Sequence, residues 1–255
     1  NGGAATPIAR TPKPTGERWS KFVGRRPPAW SPTATTICAT RAASPTGGRP
    51  LDSDTTDRDT TAGFSSTPAT STLQLFDHPY NTTILNERAV EIPVVMAWLY
   101  RGDPLGDVLE VGNVLQHYGD VLDVPTRRIV DRYETGPHVE NLDVFDITGR
   151  YDTIITISTV EHVGWDPPEP RTPGRSVEAI EHLASLLTPT GRMLVTVPTG
   201  WNQPLDDWLA DRPAAAAVTF RRDGDGWVLT DDLTFLPYGA TTRWAESVFI
   251  GEFRS

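Results

Sequence analysis

Cysteine and lysine are almost absent from this chain of 255 residues. Cys38 is the only cysteine, which excludes a disulfide within the chain and a cysteine metal centre, so a reducing, cytoplasmic compartment is the expectation. Lys13 and Lys21 are the only lysines, and no Gly-x-x-x-x-Gly-Lys-Ser/Thr sequence occurs, which excludes a Walker phosphate loop. No apolar run approaches the roughly 18 residues that cross a bilayer, and the first residues lack the apolar core of a secretory signal, so no membrane partner is expected.

Charge is unevenly distributed along the chain. Residues 1–72 hold 9 Lys+Arg and 5 Asp+Glu, which leaves 14 and 28 to residues 73–255. The first 72 residues are also rich in Thr, Pro, Ala, Gly and Ser without an apolar period, and are predicted to form a low-complexity, disordered basic tail. A basic interaction arm is the alternative. Residues 73–255 are predicted to form one acidic domain, for which nucleic acid is not an expected partner.

Apolar patterning predicts alternating strands and helices in that domain. Strands are predicted at 108–111, 127–130, 141–145, 152–158 and 192–197, and helices at 176–187 and 204–211. A further helix is predicted after Asn86 as N-cap, with Pro93 in its first turn. Such alternation implies a parallel sheet with right-handed crossovers.

The last third of the chain has a different pattern. Residues 218–222 and 227–230 flank the turn sequence Asp223-Gly-Asp-Gly226, and residues 247–253 read as a final strand. The predicted fold is therefore α/β: a Rossmann-like, doubly wound, mostly parallel sheet with an antiparallel C-terminal edge strand, in a three-layer α/β/α arrangement.

The segment Val108-Leu-Glu-Val-Gly112 reads as a buried strand that runs into a tight turn. Asp131 ends the next predicted strand, 21 residues after Glu110, close to the spacing of roughly 20 in a nucleotide-binding βαβ unit. A carboxylate at that point can accept two hydrogen bonds from a ribose diol. Open α/β sheets bind such ligands at the carboxyl ends of their strands.

From Tyr80 to Phe253 the chain resembles class I S-adenosylmethionine-dependent methyltransferases. Val108-Leu-Glu-Val-Gly112 resembles the family's first motif, Arg128-Ile-Val-Asp131 its second strand, and Leu186-Leu-Thr-Pro-Thr-Gly-Arg-Met-Leu-Val195 its fifth strand. The resemblance implies that S-adenosyl-L-methionine is the cofactor. It also implies ribose contact by Asp131 and adenine contact by Asp146. The cofactor-binding residues expected on this basis are Glu110, Gly112, Asn113, Asp131, Asp146 and Ser158.

Alternatives remain open for several of these residues and for the function. Glu110 can instead cap backbone amides, Glu134 competes with Asp131, and Asp143 is the alternative to Asp146. Val114 stands where the family commonly has a second glycine, and its side chain disfavours a dinucleotide pyrophosphate. An NAD(P)-dependent reductase is thus a weaker hypothesis. A catalytically silent methyltransferase-fold binding module is the other alternative.

His162 and Glu161 are the candidate catalytic residues, since either can take a proton from an acceptor. The remaining histidines lack metal-ligand spacing, so no metal is expected. The candidate acceptor contacts are Arg88, Trp165, Trp201 and Asn202. The two tryptophans can form a platform for a sugar or planar acceptor, or alternatively plug the sheet edge. The predicted reaction is methyl transfer to a small-molecule or sugar hydroxyl, with a nitrogen acceptor as the second choice.

Overall fold

The computed structural model describes residues 38–40 and 72–255, apart from 168–169, 212–213, 231–232 and 234. Most of the predicted tail lies outside these residues, so its disorder and the domain boundary remain predictions. The described part of the tail, Cys38–Thr40, forms a short strand, β1. It pairs in parallel with β2 (Thr72–Gln74) and antiparallel with β9 (Gly226–Thr230).

The ten strands of the described chain form one sheet. The other strands are β3 (Val108–Val111), β4 (Arg128–Val130), β5 (Val139–Glu140), β6 (Tyr151–Ile157), β7 (Leu187–Pro198), β8 (Ala216–Asp223) and β10 (Ser247–Arg254). Their spatial order is β2-β1-β9-β8-β10-β7-β6-β3-β4-β5, with parallel pairing from β5 to β7. The chain winds from β3 to β4 and β5 in one direction and returns to β6 and β7 in the other, which confirms the doubly wound α/β fold.

Two predicted strands differ from the structure. Residues 141–145 do not form a strand, because the Asp143 side chain accepts a hydrogen bond from Phe145 N (3.0 Å) and caps a 3-10 helix, Val144–Asp146. The final strand, β10, is antiparallel as predicted but is not an edge strand. It pairs with β7 on one side and β8 on the other, and its residues Val248–Ile250 are fully buried. The antiparallel region therefore includes the β8–β9 hairpin beyond it.

Helices cover both faces of the sheet and complete the three layers. The helices are α1 (Arg88–Leu99), α2 (Arg175–Ser185) and α3 (Gln203–Asp211). Apolar residues of α1 pack on the face that carries Ile155 and Ile250, whereas those of α2 and α3 pack on the face that carries Ile154 and Met193. Within the described residues, no helix has the length and apolar character to cross a membrane.

Helix α1 shows how a proline fits inside a helix. Asn86 caps its start, because the Asn86 side-chain oxygen accepts from Arg88 N at 2.9 Å. Pro93 lies in the second turn, not in the first turn as predicted. Its missing N–H leaves the Ala89 carbonyl without a helical donor, and Phe76 N donates to that oxygen at 2.9 Å instead. The bond joins α1 to the segment after β2.

Candidate active site

The turn after β3 requires glycine at position 112. Gly112 has φ +88°, and a Cβ atom there would lie 2.1 Å from Thr159 Oγ1. Its N–H donates to the Val130 carbonyl at 2.8 Å. The end of β3 is thereby held between the ends of β4 and β6, where the strand order reverses.

Glu110 is fully buried, and both of its carboxylate oxygens have partners within the fold. Its buried Oε1 accepts from Val114 N (3.0 Å) and Leu115 N (2.7 Å), while Oε2 pairs with the Arg127 guanidinium. Burial raises the pKa of Glu110, and the Arg127 charge opposes that rise. The geometry matches the amide-capping alternative rather than the predicted cofactor contact.

Three of the predicted cofactor-binding residues meet beside this turn. Asp131 Oδ2 accepts from Asn113 N at 3.0 Å, next to Gly112, and Oδ1 accepts from Tyr133 N (2.9 Å) and Glu134 N (2.7 Å). The Asn113 side-chain amide in turn donates to Glu134 at 3.0 Å. The structure therefore brings Gly112, Asn113 and Asp131 together, and cofactor binding by them stays a prediction.

The predicted adenine contact lies in a separate position. Asp146 is exposed at the end of the 3-10 helix Val144–Asp146, which follows β5. Its alternative, Asp143, caps that helix and lies 3.4 Å from Arg132. Asp143 is therefore committed to local structure, and the role of Asp146 stays a prediction.

A cavity of roughly 200 Å³ opens at the carboxyl ends of β6 and β7. Its lining residues are Glu87, Arg88, Ser158, Glu161, His162, Pro198, Trp201 and Tyr238. Five of them are residues that the sequence predicts for the site, both catalytic candidates included. A second cavity of roughly 400 Å³ lies at the opposite edge, around Gly106, Thr126 and Gly149, and contains none of the predicted site residues.

One wall of the cavity at the carboxyl ends is anchored by a buried ion pair. Arg88 Nη1 lies 2.5 Å from Glu91 Oε2, and Glu91 Oε1 accepts from Ser158 Oγ (2.7 Å) and Thr196 Oγ1 (2.6 Å). These bonds tie the start of α1 to the ends of β6 and β7. Arg88 lines the cavity as expected of an acceptor contact, but its guanidinium already has a carboxylate partner.

Glu161 is the exception among the buried carboxylates. It is 1% exposed, and neither oxygen accepts a hydrogen bond from the described residues, although Oε1 lies 3.4 Å from His162 Nε2. Burial raises the pKa of Glu161 well above its usual value, and the charges of Glu91 and Glu87 add to that rise. Glu87 is 8% exposed, its Oε2 lacks a partner in the same described residues, and burial raises its pKa too.

His162 is held by a carboxylate on its outer side. Its Nδ1 lies 2.6 Å from Asp166 Oδ2, and Trp201 Nε1 donates to Asp166 Oδ1 at 3.0 Å. Trp165 Nε1 donates to the Trp201 carbonyl at 3.0 Å. Trp201 is 40% exposed and packs edge-on against Tyr238, with ring centroids 5.6 Å apart. Trp201 thus forms a cavity wall, and Trp165 supports it from behind.

Asn202 does not reach the cavity, contrary to its predicted role in acceptor binding. Its buried amide nitrogen donates to the Glu161 carbonyl and to Ser176 Oγ, both at 2.8 Å. Its oxygen accepts from Leu205 N at 3.3 Å and caps α3. With its side-chain groups used in this way, Asn202 holds the backbone of Glu161 in place.

Four residues of this site are not among the predicted site residues: Glu87, Glu91, Asp166 and Tyr238. A usable signal existed for Glu91, which stands between Val90 and Ile92 three residues after Arg88, as a charge in an otherwise apolar helix. Asp166 follows His162 by four residues, a spacing that permits a local contact. Among residues 72–255, apart from the undescribed gaps, no group of three or more His, Cys, Asp or Glu could hold a metal ion.

Comparison with known proteins gives weak similarities only. No family model and no curated protein matches the chain. Among solved structures, the N-methyltransferase NodS from Bradyrhizobium japonicum WM9, in complex with S-adenosyl-L-homocysteine, is 12% identical with a TM-score of 0.41, over 68% of this chain and 94% of that one. Magnesium protoporphyrin IX methyltransferase (ChlM) from Synechocystis PCC 6803, with bound SAM, is 17% identical with a TM-score of 0.35, over 64% and 78%. TM-scores below 0.5 assign no function to the chain.

Proposed function

We propose that this protein is an S-adenosylmethionine-dependent methyltransferase that acts on a hydroxyl or nitrogen of a small-molecule or sugar acceptor. The observation that carries the proposal is the buried, unpartnered carboxylate of Glu161 in the cavity at the carboxyl ends of β6 and β7. Thr159, the residue after the cavity residue Ser158, lies against Gly112. Excess negative charge at that point favours a cationic group, and a sulfonium is one. When bound, S-adenosylmethionine supplies an electrophilic methyl group at its sulfonium sulfur.

The residues around the Gly112 turn fit a nucleoside. Gly112 has no side chain to block the approach of a ligand to the backbone. The Asp131 oxygens accept three backbone hydrogen bonds, and a carboxylate has about four lone-pair sites, so one remains for a ribose hydroxyl. Asp146 is the proposed adenine contact. Glu110 holds the turn in shape, and Asn113 positions Asp131.

The same turn disfavours a dinucleotide. The N–H groups of Val114 and Leu115 at the start of the 3-10 helix Leu115–Tyr118 already bond to the Glu110 carboxylate. A pyrophosphate needs such free amides at a helix start, and here it would also face a carboxylate. The NAD(P)-dependent reductase is therefore the weaker hypothesis on geometric as well as sequence grounds.

His162 is the proposed general base for a hydroxyl acceptor. Asp166 accepts from Nδ1–H, which leaves Nε2 free to take a proton at the side of the ring next to Glu161. Trp201 fixes Asp166 through its indole N–H, so the imidazole keeps one orientation. Positioning of the acceptor nucleophile against the methyl group is expected to provide much of the rate enhancement.

Calorimetric titration of the full chain with S-adenosylmethionine, and separately with NADH, tests the cofactor. We expect saturable binding of S-adenosylmethionine alone, and its loss in Gly112→Val and Asp131→Ala variants that remain folded. No binding by folded wild-type protein would overturn the proposal, and NADH binding would restore the reductase. Cofactor binding without S-adenosylhomocysteine formation, across a panel of alcohols and amines, would instead indicate the silent binding module.

A further inference from the structure

The cavity at the ends of β6 and β7 contains more carboxylates than cations. Glu87 and Glu161 line it, Glu91 lies directly behind, and Arg88 is the cation that faces them among the described lining residues. Arg88 is used by Glu91, whose two oxygens have three bonding partners in all. Its positive charge is therefore already matched, and two acidic groups remain without a cation of their own in this part of the molecule.

Three carboxylate oxygens in this cluster lack a hydrogen-bond donor among the described residues. They are both oxygens of Glu161 and Oε2 of Glu87. Buried polar atoms without partners are rare and destabilising, so such atoms beside a cavity call for a ligand that supplies donors. Since Glu161 is 1% exposed, that ligand must contact it from within the cavity.

We propose that the methyl acceptor is a protonated primary amine, bound through its ammonium group by Glu161 and Glu87. This inference rests on the proposed methyltransferase function and replaces the sugar hydroxyl as the first choice of acceptor. An ammonium group carries three donors and one positive charge, whereas a hydroxyl carries one donor and no charge. The amine therefore matches the number of unpartnered oxygens, and its charge offsets one of the two carboxylates that lack a cation. Trp201 and Tyr238 add aromatic faces that attract a cation.

The same carboxylate explains how the amine would become a nucleophile. The ammonium transfers one proton to Glu161, and the neutral nitrogen that results forms a bond to the methyl carbon while the carbon–sulfur bond breaks. The products are a methylated ammonium and S-adenosylhomocysteine. Burial beside Glu87 and Glu91 raises the pKa of Glu161, so the carboxyl group can hold the proton during the transfer. The other ionisable groups that face it are Arg88, His162 and Tyr238.

The main rival for these oxygens is the amino group of the cofactor's own methionine part. Both hypotheses place an ammonium against Glu161, but they differ in which compound brings it. S-adenosylhomocysteine has only the methionine ammonium. Sinefungin has that group and a second ammonium, at the position from which the methyl group is transferred. A comparison of the two analogues therefore separates an ammonium site at the methyl-transfer position, where the acceptor nitrogen must lie, from a site for the methionine ammonium.

The experiment measures dissociation constants of both analogues for the full chain by calorimetry. Wild-type protein is expected to bind sinefungin at least about tenfold more tightly than S-adenosylhomocysteine, the equivalent of one charge-assisted hydrogen bond. Glu161→Gln should reduce that ratio towards one and leave S-adenosylhomocysteine affinity unchanged, and Glu87→Gln should reduce it partly. Glu178→Gln is the matched control, because Glu178 is exposed and pairs with Arg175 on the surface.

Two results would overturn the inference while the proposed function stands. One is an unchanged ratio in Glu161→Gln, and the other is loss of S-adenosylhomocysteine affinity in that variant, which would assign Glu161 to the cofactor. Failure of wild-type protein to bind either analogue would overturn the proposed function, and the amine with it.

Discussion

Two fully buried carboxylates, Glu110 and Glu161, lie in different halves of the site and differ in their hydrogen bonding. Beside β3 and β4, Glu110 and Asp131 bond to backbone amides, and Glu110 also pairs with Arg127. Beside β6 and β7, Glu161 is equally buried but has no hydrogen-bond donor within the described chain. The first arrangement stabilises a turn, whereas the second costs stability in the unliganded protein. A buried carboxylate that has hydrogen-bond donors within the protein thus has a structural role, whereas one without them is a candidate for ligand binding.

The largest loss of stability is expected where a carboxylate with an ion-pair partner and hydrogen-bond donors loses its charge. Glu110→Gln leaves the buried Arg127 guanidinium without its ion-pair partner and weakens the cap on Val114 and Leu115. We expect the free energy of unfolding to fall by about 3–5 kcal/mol, as for a broken buried ion pair. Urea denaturation at pH 7 measures it. A loss below that of the surface variant Glu178→Gln would contradict a structural role for Glu110.

Gly112→Val is expected to cause the second-largest loss in the free energy of unfolding. A side chain at φ +88° costs roughly 1–2 kcal/mol, and contact with Thr159 adds an overpacking cost of roughly 1–3 kcal/mol. The double variant with Thr159→Ala should regain the overpacking part only. Equal unfolding free energies for the single and double variants would show that Thr159 does not restrict this turn.

Asp206 offers a third test, because it is a buried carboxylate in which only one of the two oxygens has a hydrogen-bond donor. Its Oδ2 accepts from Gly200 N at 2.8 Å, Oδ1 has no partner in the described chain, and burial raises its pKa to about 7. The folded protein holds this proton between pH 4 and 7 while the unfolded chain releases it, so stability falls as pH rises through that window. The free energy of unfolding of Asp206→Asn should therefore exceed that of wild type at pH 8 by roughly 1–3 kcal/mol, which raises the melting temperature. No such gain is expected at pH 4.

Melting curves at both pH values check the last prediction, with Asp211→Asn as a control at the exposed end of α3. A gain that is the same at pH 4 and pH 8 would show that the Asp206 proton is not responsible.

The smallest stability effect is expected at the exposed rim of the cavity. Trp201→Phe removes the indole bond to Asp166 at a solvent-exposed position, so the unfolding free energy should change by less than about 1 kcal/mol. Turnover should fall by a larger factor than stability, because Asp166 then holds His162 less firmly. Unchanged turnover with the acceptor would remove Trp201 from the positioning of His162.

Local sequence patterns predicted the half of the site beside β3 and β4 better than the half beside β6 and β7. The strand Val108–Val111, the glycine at 112 and the carboxylate at 131 all follow from short-range sequence, and the structure brings them together. The strand predicted at 141–145 failed for an equally local reason, since Asp143 bends the chain by capping Phe145. Side-chain hydrogen bonds of this kind compete with strand formation and are invisible to apolar patterning.

The half of the site beside β6 and β7 depends on contacts between segments that are far apart in the sequence. Glu91 reaches Thr196 across 105 positions of the chain and Ser158 across 67, so its role could not be predicted from spacing. Glu161 and His162 were identifiable as candidates by residue type alone. What makes Glu161 unusual is its desolvation by burial and the absence of a donor in the described residues, and both arise only on packing.

The central claim is that Glu110 stabilises the fold whereas Glu161 destabilises the unliganded protein. Thermal unfolding of Glu161→Gln and of wild type, without ligand at neutral pH, tests it most directly. Burial raises the pKa of both carboxyl groups, but only Glu110→Gln leaves a buried guanidinium, that of Arg127, without its ion-pair partner. Glu161 has no such partner among the described residues, so the neutral amide removes the cost of a buried charge. The variant is predicted to melt at a higher temperature than wild type, opposite in sign to Glu110→Gln. A lower melting temperature in both variants would show that Glu161 stabilises the fold, and would contradict its assignment to a ligand.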